Sequence, residues 1–204
     1  FAVGDQVRHG KFGPGLVLEV DDKTVTVIGD QVLPDSEELA KVEEARTGSI
    51  EVMLTDGKAG TNKSNVMFGC QKVAEIVHGE YILTDTYKMS EVDLNAIENA
   101  NDLKIAAEKL LATAGESTSV APTDADGFVT FKNLEVGVYL IYAQDTETYD
   151  TVEPSLIAVP TWNDSEGEMQ YDVMIAPKHT EKPEKEDNVA PQTSLQENTW
   201  KYVT

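Results

Sequence analysis

The stretch FKNLEVGVYLIYAQDTETYDTVEPSLIAVPTWNDSEGEMQYDVMIAPKHTEKP, residues 131–183, decides the fold. It holds three short apolar runs, GVYLIYA (137–143), SLIAVP (155–160) and QYDVMIA (170–176). Each is rich in β-branched and aromatic residues and is bounded by polar, glycine or proline turns, which predicts strands rather than helices. Just upstream, FVTF (128–131) adds a fourth strand after TDADGF (123–128). That segment offers Asp124 and Asp126 before Gly127, half of a calcium-loop signature. Apolar residues at several intervening ligand positions favour a turn that uses Asp and Gly for their backbone tolerance, and no metal site is expected.

Moving towards the N-terminus, GSIEVML (48–54) and NVMFGCQKVAEI (65–76) also read as strands, with the polar, glycine-containing loop DGKAGTNK between them. Val66, Phe68 and Cys70 alternate with Met67, Gly69 and Gln71, so one face of that strand is buried. YILTDTYKM (81–89) extends the pattern as a further hairpin arm. The period then changes. Leu103, Ala106, Ala107, Leu110, Leu111 and Ala114 form one apolar helical stripe, with Asn101 as the expected N-cap and Gly115 just past the C-terminus. Strands on both sides of a helical excursion predict a mainly β protein, an Ig-like β-sandwich with a helical insertion, over residues 48–180. Residues 1–30 read as a separate small β-meander, with Leu16–Val20 pairing with Thr24–Ile28 through Asp21 and Asp22. Residues 31–47 are acidic and carry a Pro34-Asp35-Ser36 helix-start signal, which predicts a linker with a helical turn or two. Residues 181–204 read as an extended linker or the start of a truncated further domain.

The 204 residues carry 16 Lys and Arg against 37 Asp and Glu, a net charge of −21. Counterion release on a phosphate backbone needs clustered cations, so neither nucleic acid nor an anionic membrane surface is an expected partner. No apolar run reaches the ~18 residues of a membrane span, and Phe1 does not begin a signal peptide. Cys70 alone excludes an internal disulfide framework; on a buried strand face it reads as a core thiol. His9, His78 and His179 are scattered, which argues against a catalytic cluster. No enzymatic activity and no cofactor are expected.

Against this background, residues 47–180 resemble the first domain of Gram-positive sortase-assembled pilins, in collinear order. Leu134, Gly137, Tyr139 and Leu140 match the family's Leu-x-x-Gly-x-Tyr-Leu strand, and Pro154, Leu156 and Pro160 match its Pro-x-Leu-x-x-x-Pro strand. Tyr171, Asp172, Val173, Pro177 and Lys178 match its closing Tyr-Asp-Val-x-Val-x-Pro-Lys strand. FGCQKVAEI resembles the family's Phe-x-Leu-Tyr-Lys-Val-Ala strand, and residues 81–114 look like its helical insertion. The resemblance implies a structural subunit of a covalently polymerised pilus, secreted and cell-wall-anchored in a Gram-positive bacterium. Its partners would be other pilin subunits, a class C-type sortase and host surface ligands. Lys178 would be the acceptor amine for sortase-made intersubunit isopeptide bonds, presented at the strand end by Pro177.

Departures from the family are also present. Ala176 and His179 stand where many relatives have a larger residue and Asn. Ala190, Pro191, Gln192, Thr193 and Ser194 form at best a degenerate version of the Leu-Pro-x-Thr-Gly sorting signal, so the donor end is expected to be missing from this chain. Ala143 stands where the acid of an intramolecular Lys–Asn isopeptide site is usually found, so no such bond is expected at Lys72. Residues 3–20, VGDQVRHGKFGPGLVLEV, resemble the Tudor-like C-terminal module of UvrD/PcrA-type helicases through Val3-Gly4-Asp5, Val7, His9 and Phe12-Gly13-x-Gly15. That resemblance implies an alternative, a cytosolic adaptor for a DNA-repair or transcription-linked partner.

Overall fold

A computed structural model describes residues 6–9, 13–20, 24–27, 31–34, 39–43, 45–77, 80–115, 119–163 and 165–183, those before residue 42 as backbone. The first five strands are β1 (Gln6–His9), β2 (Gly13–Val20), β3 (Thr24–Val27), β4 (Gln31–Pro34) and β5 (Leu39–Lys41). They form one antiparallel sheet in the order β4-β3-β2-β1-β5. The expected hairpin is present, with Val17 opposite Val27 and Val20 opposite Val25. Within the linker the sequence predicts over 31–47, residues 31–34 and 39–41 are strands. These strands, β4 and β5, take their hydrogen bonds from β3 and β1, and Pro34 closes a strand instead of opening a helix.

The rest of the molecule is the expected β-sandwich with a helical insertion. Its elements are β6 (Gly48–Met53), β7 (Met67–Val77), β8 (Glu80–Leu83), α1 (Ala100–Thr113), β9 (Val120–Pro122), β10 (Phe128–Leu134), β11 (Gly137–Ala143), β12 (Thr151–Val152), β13 (Ser155–Val159), β14 (Thr161–Asn163), β15 (Glu168–Gln170), β16 (Asp172–Ile175) and β17 (His179–Thr180). One sheet runs β10-β6-β16, with β16 parallel to β6. The other runs β13-β11-β7-β8, with β9 on β7. Between the sheets lie Ile50, Val52, Leu54, Val66, Phe68, Cys70, Val129, Phe131, Tyr139 and Ile141. On the outer face of the second sheet, Val73, Val138, Leu140 and Leu156 pack against Ala106, Ala107 and Leu110 of α1. β11 is therefore covered on both faces, which is why GVYLIYA reads as a continuous apolar run instead of an alternating one.

The helix matches its predicted stripe, but its cap lies two residues earlier. The Asn99 side chain accepts from the backbone N–H groups of Asn101 and Asp102, so Asn101 is inside the helix. Ala114 ends it in an extended conformation. Leu103, on the expected buried face, is 40 % exposed because it borders a groove and not the core.

Cys70 lies in the inter-sheet core, where burial pushes its thiol up to about 12. The thiolate is the reactive form. Alkylation of the folded protein at pH 8 is expected to run at least about a hundredfold slower than in denaturant, each pKa unit being tenfold. Equal rates would contradict the core placement.

Candidate functional site

The expected site residues lie along β16 and its exit. Tyr171, just before the strand, is a junction: its hydroxyl accepts from the Glu43 backbone N–H at 2.7 Å, and its carbonyl accepts from Ser49 N–H at 3.0 Å. The Arg46 guanidinium carbon sits 4.1 Å from the centre of its ring. Gly48 is required there, because a Cβ at that position would fall 2.0 Å from the Tyr171 carbonyl oxygen. Asp172 accepts from the Ser49 hydroxyl at 2.6 Å, and Val173 is buried opposite Ile50. These three residues thus dock β16 on β6 and fix where its end points.

After Ile175 the chain leaves the sheet. Pro177 is buried and Lys178 is exposed. The Lys178 carbonyl accepts from Glu153 N–H at 2.8 Å, and the next two residues form β17 by pairing with β12. The sequence reading starts a linker at residue 181, and the structure holds Lys178 just before it, between two paired segments.

Beside Lys178 runs an open groove of about 300 Å³. One wall is α1, through Leu103, Lys104 and Ala107. The other is residues 153–157 together with Ile175, Ala176 and Pro177. At its rim Lys104 Nζ lies 2.7 Å from Glu153 Oε1, and this bond raises the Lys104 pKa above the usual lysine range. Lys182, beyond β17, is bonded to Asp145 and to the Thr146 carbonyl. The Lys178 amine makes no hydrogen bond or ion pair to the described residues, and its side chain is exposed beside the groove.

His179, one of the three scattered histidines and a departure from the pilin pattern, is bonded at both ring nitrogens, to Asp150 at 2.8 Å and to Thr55 at 2.7 Å. Sequence reasoning missed Thr55, Lys104, Asp150 and Glu153, which no local pattern marks. The other candidates lie elsewhere. Asp124 accepts from the backbone N–H groups of Asp126 and Phe128, each at 2.9 Å, which closes the turn before β10. Lys72 is held by Glu75 at 2.6 Å and Glu135 at 3.4 Å. Among the described residues, no three His, Cys, Asp or Glu side chains are grouped to hold a metal, and no helix is long and apolar enough to cross a membrane. Ala190–Ser194 lie outside the described residues.

No family model matches this chain, and no curated protein does. Solved structures do. The chain is similar to Gram-positive pilins. The full-length major pilin SpaD of Corynebacterium diphtheriae is 23 % identical with a TM-score of 0.43, over 69 % of this chain and 31 % of that one. The major pilin SpaA of the same organism is 21 % identical with a TM-score of 0.40, over 65 % of this chain and 30 % of that one. The SpaB basal pilin of Lactobacillus rhamnosus GG is 14 % identical with a TM-score of 0.41, over 65 % of this chain and 97 % of that one. The chain thus spans under a third of the length of the major pilins it matches. Likenesses at this level leave the functional reading to rest on the chain's own residues.

Proposed function

We propose that this chain is a structural subunit of a covalently polymerised, cell-wall-anchored pilus of a Gram-positive bacterium, and that Lys178 is the amine that joins it to the next subunit. The reading rests on the collinear resemblance of residues 47–180 to sortase-assembled pilins. The observation that carries it is the state of three lysines, Lys104, Lys178 and Lys182. Lys104 and Lys182 are tied to carboxylates, whereas the exposed Lys178 amine is bonded to none of the described residues.

The chemistry requires such an amine. A class C-type sortase holds the donor subunit as a thioester. Lys178 Nζ attacks the thioester carbonyl, the C–S bond breaks as the C–N bond forms, and the enzyme thiol leaves with a proton. Only the neutral amine has the lone pair to attack. An ammonium held in an ion pair must lose its partner as well as its proton, which disfavours Lys104 and Lys182. The open groove gives the arriving donor segment an apolar wall next to the attacking nitrogen.

The test is to incubate the protein with the cognate sortase and a donor peptide bearing the sorting signal, and to map the product by peptide mass analysis. The new amide is expected on Lys178. An adduct on Lys104 or Lys182 instead would overturn the assignment.

A further inference from the structure

We infer that His179 is a positioning residue for Lys178: clamped between Asp150 and Thr55, it fixes the register in which the acceptor amine points outwards. The inference rests on the reading of Lys178 as the acceptor.

The clamp joins three segments distant in the chain. His179 Nδ1 is 2.8 Å from Asp150 Oδ2, and its Nε2 is 2.7 Å from Thr55 Oγ1. Asp150 is 4 % exposed, and the Lys58 backbone N–H also donates to its carboxylate, at 3.2 Å from Oδ2. A buried carboxylate that loses a partner is costly, so the bond to His179 is strongly specified. The Tyr149 ring lies 5.3 Å from the imidazole, centre to centre, and the Tyr149 hydroxyl donates to the Thr55 carbonyl at 2.6 Å. Gly57 lets its loop close over the group, since a Cβ there would fall 2.9 Å from Asp150 Oδ2. Either state of the ring satisfies the clamp. With Nδ1–H donating to Asp150, Nε2 accepts from the Thr55 hydroxyl, and that hydroxyl can instead turn to accept.

The consequence for Lys178 follows from strand geometry. Successive side chains of an extended chain point to opposite sides. With His179 drawn inwards, the preceding residue faces outwards, where Lys178 is found. A slip of one residue would reverse both. The backbone ladder there is short: β17 pairs with β12 through two residue pairs, Val152 with His179 and Thr151 with Thr180, and one more bond runs from Glu153 N–H to the Lys178 carbonyl. A ladder this short is marginal alone. The side-chain clamp therefore supplies the register that the backbone leaves weakly set.

The test compares His179→Ala, Thr55→Val and His179→Gln with the unaltered protein in sortase-catalysed transfer of the donor peptide. The maximal rate for His179→Ala is expected to fall at least about tenfold, as misplacement of a reacting group does, with the KM for the acceptor within about threefold. Thr55→Val, which keeps the Asp150 bond, should lose less, and His179→Gln, whose amide both donates and accepts, should recover part of the rate. Sortase-free acetylation of Lys178 by a small activated ester is the second readout, and it should stay within about twofold, since an exposed amine needs no particular register for a small reagent. An undiminished transfer rate in folded His179→Ala would overturn the inference. So would acetylation falling in parallel with transfer, which would mean that the change acts on the accessibility of the amine and not on its register. If His179→Ala does not fold, an undiminished rate in Thr55→Val overturns it in the same way. Failure of the acceptor reading is distinguished by Lys178→Arg: donor-peptide transfer surviving that change would remove the acceptor and this inference together.

Discussion

Lys178→Arg is expected to abolish the covalent adduct formed with sortase and the donor peptide while leaving the protein folded. Arginine keeps the positive charge and nearly the length of lysine, but its guanidinium stays protonated and offers no amine lone pair. The side chain is exposed and bonded to none of the described residues, so unfolding free energy should change by no more than about 0.5 kcal/mol. Neighbouring amines should not take over. Lys104 is bound to Glu153, which raises its pKa and lowers the neutral fraction available for attack. Lys182 is bonded to Asp145 and the Thr146 carbonyl. Its replacement, Lys182→Arg, should leave the adduct intact. Gel electrophoresis and intact mass would check the product, and circular dichroism the fold; an adduct persisting in folded Lys178→Arg would remove Lys178 from the mechanism.

How much of this was legible in the sequence depends on whether the determining contacts are local. Strands β6, β7, β10, β11, β13 and β16 announce themselves because burial on a sheet imposes a period of two, or a continuous apolar run where both faces are covered. The helix announces itself through Leu103, Ala106, Ala107 and Leu110. Its cap was misplaced because Asn99 and Asn101 are equally suited chemically, and only the chain path makes Asn99 the residue whose side chain reaches back. Strands β4 and β5 were hidden by their shortness and by the acidic residues around them, since what makes them strands is the edges of β3 and β1. At the site, Lys178 and its Pro177 neighbour could be picked out by resemblance. The groove could not, because α1, residues 153–157 and the end of β16 meet only in three dimensions. The clamp was equally invisible: Thr55 and His179 are 124 positions apart, and Asp150 looked like any acidic loop residue.

Phe68→Ala is expected to produce the largest loss of stability, about 3–5 kcal/mol. Phe68 is fully buried on β7, which pairs with β11 on one side and β9 on the other, opposite Ala143 and Ala121. Truncation removes the ring from the inter-sheet core, and hydrogen-bonded neighbours on both sides keep the strands from closing on the cavity. The cost therefore includes the lost contacts as well as the lost transfer from water. Met174→Ala, at 57 % exposure on β16, is the control and should cost under about 0.5 kcal/mol. Denaturant unfolding measures both. Cys70 supplies an internal reporter, because it lies in the same core and its thiol is reachable only when the structure opens. If that opening is global, each 1.4 kcal/mol lost speeds alkylation tenfold, so Phe68→Ala should raise the native-state rate by roughly 10²- to 4 × 10³-fold. A Phe68→Ala protein as stable as the parent would mean that the two sheets do not share the core placed between them. A destabilised protein with unchanged Cys70 reactivity would mean instead that the thiol is reached by a local opening that leaves the sandwich closed.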